Sequence, residues 1–448
     1  MKKLRLSQNL IIGSLLFGLF FGAGNLIFPV KMGRMAGNHF ASATLGFIIT
    51  GVGLAILGII SSAVSSKQGL REYASPLGKT ASLLFTLALY LTIGPLFAIP
   101  RTATVAFEVG VHPFIPKDTS VPLLLYSGIF FALVLFFSIR PSKILDIVGR
   151  FLAPLFLLLL SVLLLAAFFS PMGSTASVSP EGAYASAPLA QGILAGYDTM
   201  DALASLAFAI IIITNIRQFG VTEPRRIAVE TARSGLVTVL IMGLLYAALV
   251  FLGASSSSIG TTSENGGLIL SQVSHHYFGT FGQLLLAAIV SVACLKTAVG
   301  LVVSIATTFT ELFPRAVSYR FWMLAFSIVS LIIANFGLDT ILALSLPVLM
   351  FLYPISIALM FLWIFHAVHP LRRGVFQLTV ACTALFALYD FLRSCPASVQ
   401  ELPWVDALLT FVKQHLPLSS LGLGWLIPTI AVFILSLALT FSKETDLS

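Results

Sequence analysis

The chain has 448 residues, of which 58% are hydrophobic and only 9% charged, with a mean hydropathy of +1.02. Soluble domains carry about 25% charged residues, so a soluble enzyme, a disordered chain and a nucleic-acid-binding domain are excluded. No nucleic acid is expected as a partner, and the net charge of +8 needs another explanation.

A helix needs about 20 apolar residues to cross a hydrocarbon core of about 30 Å. Twelve such stretches are predicted, near 10–30, 40–62, 80–107, 121–139, 148–170, 188–216, 230–254, 279–313, 319–336, 338–365, 375–393 and 424–442. The fold class is therefore an all-α polytopic membrane protein. The charged start Met1-Lys2-Lys3-Leu4-Arg5 suggests a signal peptide. The run behind it is longer than the usual apolar region of such peptides and lacks a small-residue cleavage site, so it is read as the first span. Between the spans, 67–79 is expected to form an inner loop suited to a gate. The Ser/Ala/Pro-rich stretch 171–188 reads as an extended outer loop. Residues 255–277 are too polar to span yet include Leu268-Ile269-Leu270, and are expected to form a lid or short helical hairpin over the outer entrance.

Lys and Arg set the orientation, because cytoplasmic loops retain them. With the N-terminus inside, 18 of the 25 basic residues fall in inner segments, among them Lys67, Arg71, Arg140, Lys143, Arg150, Arg225, Arg226, Arg315 and Arg373. Five fall outside (Lys31, Arg34, Lys117, Arg393 and Lys413), and Arg101 and Lys296 lie within spans. The expected location is a bacterial cytoplasmic membrane, multi-pass, with both termini cytoplasmic. The excess positive charge is thus read as topology. Cys294, Cys382 and Cys395 lie far apart with no metal-ligand spacing and read as packing residues. His366 and His369 share a helix face without a nearby carboxylate and read as interfacial. Asp390 and Arg393 have the spacing of a same-face ion pair.

Two spans are interrupted. Gly22-Ala23-Gly24-Asn25 breaks the first and is followed by Pro29; Gly196-Tyr197-Asp198-Thr199-Met200-Asp201 breaks the sixth. These open two five-span units, 1–187 and 188–366, with two further spans in 367–448. Five being odd, the second unit is inverted relative to the first. Broken helices at matching positions of inverted repeats mark a transporter's site near the bilayer midplane, because the freed backbone groups cannot face lipid.

Three strings carry a resemblance: Phe20-Phe21-Gly22-Ala23-Gly24-Asn25-Leu26-Ile27-Phe28-Pro29, Ile93-Gly94-Pro95-Leu96-Phe97-Ala98-Ile99-Pro100-Arg101, and Gly196-Tyr197-Asp198-Thr199-Met200-Asp201-Ala202-Leu203-Ala204. With them the chain resembles, over essentially its whole length, the branched-chain amino acid:cation symporters (LIVCS or BrnQ-type). The resemblance implies a LeuT-type fold of the amino acid–polyamine–cation superfamily. It also implies uptake of leucine, isoleucine and valine by Na⁺ or H⁺ symport, with no other cofactor. The alternatives are a polytopic membrane enzyme, a channel, or a transporter of another small apolar amino acid. No clustered acid/base residues, channel-filter repeat or nucleotide-binding P-loop pattern is visible, and a monomer or weak oligomer is expected.

Glycines let the backbone unwind close to a ligand, and a half-helix N-terminus suits a carboxylate. Gly22, Ala23, Gly24 and Asn25 are therefore candidates for the substrate carboxylate, with Asn25 also a possible cation ligand. In the sixth span Tyr197, Thr199, Met200 and Asp201 would surround the ammonium and side chain, with Ser205 and Phe208 as walls. Asp198 and Asp201 lie at a depth where a carboxylate costs about 2.5–3.5 kcal/mol, and capping of the second half-helix by either is the plainer reading, compatible with a substrate contact.

The stretch Ala293-Cys294-Leu295-Lys296-Thr297-Ala298 resembles the cation-binding segment of sodium-coupled relatives, whose partners on the first span correspond to the carbonyls near Gly18 and Phe21. Thr297 keeps one hydroxyl, but Lys296 replaces the other. Its ammonium would donate to those same oxygens, so reversible protonation would replace sodium. The competing reading is a permanent ion pair of Lys296 with Asp198 or Asp201. Arg101 is a gate candidate facing the two breaks, or else snorkels to the outer interface.

Overall fold

The computed structural model describes residues 3–67, 69–115, 119–139, 153–259, 265–314 and 317–445. All regular structure in them is helical. Eight helical stretches are long and apolar enough to cross a bilayer, and four shorter apolar ones stand beside them: Leu6–Phe20, Leu160–Phe169, Tyr319–Ala334 and Leu426–Leu439. The basic residues Lys2, Lys117, Arg140, Lys143, Arg150 and Arg315, and the start of the fifth predicted span, lie outside the described residues.

The first predicted span is α1 (Leu6–Phe20) and α2 (Ala23–Ala36), separated by extended backbone at Phe21 and Gly22. The second is α3 (Phe40–Ile48) and α4 (Leu54–Ser65), joined by a π-helical turn over Ile49–Gly53. The third is α5 (Lys79–Leu91) and α6 (Ala98–Gly110). The turn between them, Thr92–Leu96, is non-helical at Gly94, the kink expected where Pro95 lacks a backbone N–H. Then follow α7 (Ser120–Ser138) and α8 (Ala153–Phe169).

The sixth span is α9 (Pro188–Ala195), a single 3-10 turn Gly196–Thr199, and α10 (Asp201–Gln218). The seventh, α11 (Pro224–Ser255), starts earlier than hydropathy predicted because Pro224 opens a charged but helical first turn. In α12 (Gly266–Leu312) the eighth span and the expected lid are one helix, bent at Gly279 with φ 61°. The lid is thus a single helical arm over the described residues, capped by Asn265 Oδ1, which accepts from Gly267 N–H at 2.9 Å. The chain closes with α13 (Tyr319–Ala334), α14 (Leu338–Val368), α15 (Arg373–Ser394), the surface helix α16 (Pro403–His415) and α17 (Leu426–Thr445).

The core is built by close crossings at glycine. A Cβ on Gly33 of α2 would collide with the Val250 carbonyl of α11, and one on Gly253 with the Val30 carbonyl. The same reciprocal pairing joins Gly46 of α3 to Leu189 of α9, and Gly192 to Ala43. Small residues let membrane helices approach backbone to backbone where lipid offers no hydrophobic drive. The α2 half of the first span is seamed to the seventh as the α9 half of the sixth is seamed to the second.

Both flanking loops are pinned. In the loop 171–188, Asn38 N–H donates to Val178 O at 2.9 Å and Glu181 N–H to Met35 O at 2.8 Å, so the expected loop is fastened over the end of α2. In the loop 67–79, Trp363 Nε1 donates to Tyr73 O at 2.9 Å and Arg373 Nε to Pro76 O at 3.0 Å. His366 accepts the Leu371 N–H at 2.9 Å, and among the described residues no cluster could hold a metal ion. The three cysteines are free.

The Asp390–Arg393 pair is not formed. Arg393 turns instead to the carbonyls of Ser419 and Ser420, leaving both Asp390 oxygens buried without a hydrogen-bond partner. A guanidinium carries five N–H donors in a fixed fork, and the turn before α17 presents two convergent carbonyls to it.

Overpacking a tight core costs about 1–3 kcal/mol. Gly33→Val should therefore lower the thermal unfolding midpoint of the detergent-purified protein by several degrees. Gly128→Ala, whose Cβ would meet nothing within 4 Å, should not. Equal midpoints would contradict the seam.

Candidate functional site

The two breaks face each other in the interior, and a three-residue polar knot joins them. Asn25, one turn into α2, is 1% exposed. Its Oδ1 accepts the Gly22 N–H at 2.9 Å, covering a donor freed by the break. Its Nδ2 donates to Asp201 Oδ2 at 2.6 Å and contacts Tyr246 OH, which donates to the same carboxylate oxygen at 3.3 Å. Asn25 thus bridges backbone, sixth span and seventh span, and its side chain is fully engaged. Asp201 is the first residue of α10 and makes no cap bond. The capping reading is corrected: the carboxylate points across to Asn25 and Tyr246.

Met200, between the 3-10 turn and α10, adopts φ 62°, a left-handed conformation rare outside glycine. Thr199 Oγ1 donates to Gly196 O at 2.9 Å and accepts from Asp201 N–H at 3.3 Å, holding the turn. Tyr197 stacks on Tyr353 of α14 with centroids 4.1 Å apart, which anchors the turn from behind. Tyr197, Thr199, Met200 and Asp201 are all buried around the break. Phe208 lines a cavity below it. Ser205 does not face that cavity: its hydroxyl donates to Ala202 O at 2.7 Å and fills the space at Gly58 of α4.

Arg101 does not snorkel. It is 4% exposed, lies 5.1 Å from the Phe28 ring centroid, and donates from Nη1 to Asp198 O at 2.6 Å and from Nη2 to Thr199 O at 3.5 Å. These carbonyls belong to the broken turn. Gly24 makes room, since a Cβ there would stand 3.0 Å from Nη2. Arg101 therefore clamps the sixth-span break to α6 and α2.

Lys296 of α12 donates to the Gly18 carbonyl at 3.1 Å, the oxygen expected of a cation site. It makes no ion pair with Asp198 or Asp201 among the described residues, which corrects that alternative: the Asp201 oxygen is held by Asn25 and Tyr246. Thr297 Oγ1 donates to Ala293 O at 3.1 Å and lies against the first break, 3.5 Å from where a Gly22 Cβ would be. Phe21 stacks on Phe17, with centroids 5.0 Å apart.

A cavity of about 740 Å³ leads from Gly18, Lys296 and Thr297 to Lys67 and Arg71, at the end of the bundle where the chain begins. On the opposite side a recess of about 480 Å³ is lined by Phe28, Lys31, Glu108, His112, Asp198 and Asp339. The two share no lining residue. Phe28 and Asp198 line the second recess, and Arg101 packs on the one and bonds the carbonyl of the other. Tyr246 and Tyr353 were not anticipated from the sequence; the available signal was a tyrosine at mid-depth in an apolar span, where its hydroxyl needs a partner.

A helical bundle with two broken helices tied at its centre, a cation-type contact beside them and a cavity at one end defines a membrane transporter and not an enzyme. The chain belongs to the family described as branched-chain amino acid transport protein, which it matches over residues 5–443. It is 45% identical to the branched-chain amino acid permease BrnQ of Lactobacillus delbrueckii subsp. lactis over 99% of both chains. It is 40% identical to BrnQ of Bacillus subtilis over 96% of both. Among solved structures, the nucleobase-cation-symport-1 family transporter Mhp1, closed with bromovinylhydantoin bound, aligns at TM-score 0.61 and 16% identity. That alignment covers 98% of this chain and 93% of Mhp1. MhsT in complex with L-phenylalanine aligns at TM-score 0.56 and 14% identity, over 97% and 99%. At such identities the likeness is one of fold, the LeuT-type helical bundle.

Removing Asn25 leaves the Gly22 N–H without a partner and the Asp201 carboxylate with the Tyr246 hydroxyl alone, and an unsatisfied buried group costs about 1–3 kcal/mol. Asn25→Ala should destabilise the purified protein by that amount and Tyr246→Phe by less. The double variant should fall short of the sum, because the residues share a bond. Strictly additive losses in a denaturation series would contradict the knot.

Proposed function

We propose that this protein imports leucine, isoleucine and valine across a bacterial cytoplasmic membrane by cation symport with alternating access. The observation that carries the reading is the facing pair of helix breaks: backbone N–H groups at Ala23 and Gly24 for a carboxylate, beside the Gly22 N–H that Asn25 covers, and the Thr199–Asp201 turn for an ammonium and side chain. Its relatives' names, branched-chain amino acid permeases, support the substrate class. An aliphatic side chain is held by burial worth about 1.5–3 kcal/mol, and one methylene changes little, so the three substrates should be separated poorly.

The chain is read as two inverted five-span units, 1–187 and 188–366, followed by 367–448, and as a monomer or weak oligomer. The reciprocal glycine seams support the repeat, joining the first span to the seventh and the sixth to the second. The basic residues support cytoplasmic termini, which makes the 740 Å³ cavity the inner vestibule. Arg101 then closes the outer side by bonding the carbonyls of the broken turn.

The coupling ion is read as a proton carried by Lys296. The contact of Nζ with the Gly18 carbonyl supports an ammonium standing where sodium-coupled relatives of this fold bind their ion; Na⁺ is the alternative.

Leucine uptake into proteoliposomes at fixed pH should survive replacement of sodium by choline, and Lys296→Thr should acquire sodium dependence. Abolished uptake in choline would sink the proton reading, and passive non-saturating flux would sink symport altogether. For the gate, an Ala195→Cys thiol in the outer recess should react with an impermeant maleimide about tenfold faster when Arg101→Ala is added in a background lacking the native cysteines, since about 1.4 kcal/mol of lost closure is a factor of ten. Equal rates would remove Arg101 from the gate.

A further inference from the structure

One face of α12 lines the inner cavity along its whole length. Lys296, Gly300, Ser304, Thr307 and Glu311 all contribute to its wall. At about 100° per residue, steps of four, four, three and four residues keep these five positions within an arc of roughly 80°. The row spans about 22 Å of helix axis at 1.5 Å per residue, the depth from the central site to the cavity mouth. It presents an ammonium, a bare backbone position, two hydroxyls and a carboxylate, with no apolar side chain between. A Cβ on Gly300 would meet nothing within 4 Å, so the row is open at its midpoint. Thr86 and Tyr90 of α5 add hydroxyls to the facing wall.

The remaining titratable groups on this cavity are Lys67, Arg71, Glu72 and Tyr73 in the inner loop. Glu311 is exposed at the mouth, and among the described residues no side chain is paired with it. A bilayer-facing helix would be apolar along such a row, so its polarity is matched to an aqueous path. Its two ends carry an amine and a carboxylate.

We propose that this row is the route by which the coupling proton leaves Lys296 for the inner face, with Glu311 as its acceptor at the mouth. The inference rests on the reading of Lys296 as the proton carrier. The Lys296 ammonium gives a proton to water in the cavity and becomes the neutral amine. The Glu311 carboxylate takes a proton from that water and passes it to bulk solvent. Only N–H and O–H bonds break and form, and nothing is oxidised.

The test compares net leucine uptake driven by a pH gradient with leucine–leucine exchange at equal pH, in the same proteoliposomes. Exchange returns the carrier with its proton in place, whereas net uptake requires proton release on every cycle. Glu311→Gln should slow net uptake about a hundredfold, the lower end of the range for removal of a proton-transfer group, and leave exchange unchanged. Raising the internal pH should relieve the defect, because solvent then takes the proton directly, and Glu311→Asp should restore the rate. Net uptake equal to the parent's at every internal pH, or a parallel fall in exchange, would overturn the route. A parent protein that needs sodium and ignores the pH gradient would overturn the Lys296 reading and the route together. A proton-driven parent with a full-rate Glu311→Gln variant overturns the route alone.

Discussion

A helix broken inside a membrane exposes peptide N–H and C=O groups that lipid cannot satisfy, each at a cost of several kcal/mol. This chain breaks two helices at the same depth, at Phe21–Gly22 and at Gly196–Met200, and much of its architecture follows from supplying partners. Asn25 covers one freed donor and joins the first break to the sixth span through Asp201. Arg101 covers two freed acceptors and joins the second break to the third span. Lys296 takes the Gly18 carbonyl and joins the α1 half of the first span to the eighth. The side chains that satisfy the breaks are also the ones that hold the surrounding helices in register.

Each partner suits its target. An amide both donates and accepts, so one Asn25 serves a backbone N–H, a carboxylate and a phenol at once. A guanidinium offers a planar fork, so Arg101 reaches two successive carbonyls of one turn. An ammonium is a compact point charge on a flexible stem, which fits a single carbonyl beside a cavity. The larger cavity runs up to Gly18, Lys296 and Thr297, and the recess on the opposite side is lined by Phe28 and Asp198, both of which Arg101 contacts.

The spans, both breaks, the kink at Gly94-Pro95 and the four intramembrane charges were legible in the sequence because each violates the expectation for an apolar helix. Arg101, Asp198, Asp201 and Lys296 stood out by charge alone. Their partners were not legible. That Lys296 meets Gly18 and not an aspartate depends on how far apart the first and eighth spans stand, a distance set by packing and absent from local pattern. Tyr246 was hidden because a tyrosine is apolar by bulk and polar only at its tip. Ser205 looked like a pocket residue by its position on α10, but α4 crosses there at Gly58 and takes its face. Asp390 and Arg393 had helical spacing for an ion pair, and the pair lost to two carbonyls that the sequence pattern does not display.

The contacts that bridge the broken helices to the third and eighth spans share one property: their acceptors are main-chain carbonyls, those of Asp198, Thr199 and Gly18. A carbonyl survives any substitution at its own position. The donors are therefore genetically exposed and the acceptors are not: one codon change deletes the Arg101 contact, whereas a change at 198 leaves the oxygen it receives in place. Thr199 is the exception, because its hydroxyl also holds the turn that presents both carbonyls. Within this turn, position 198 is the one at which side-chain identity is separable from the backbone contact to Arg101.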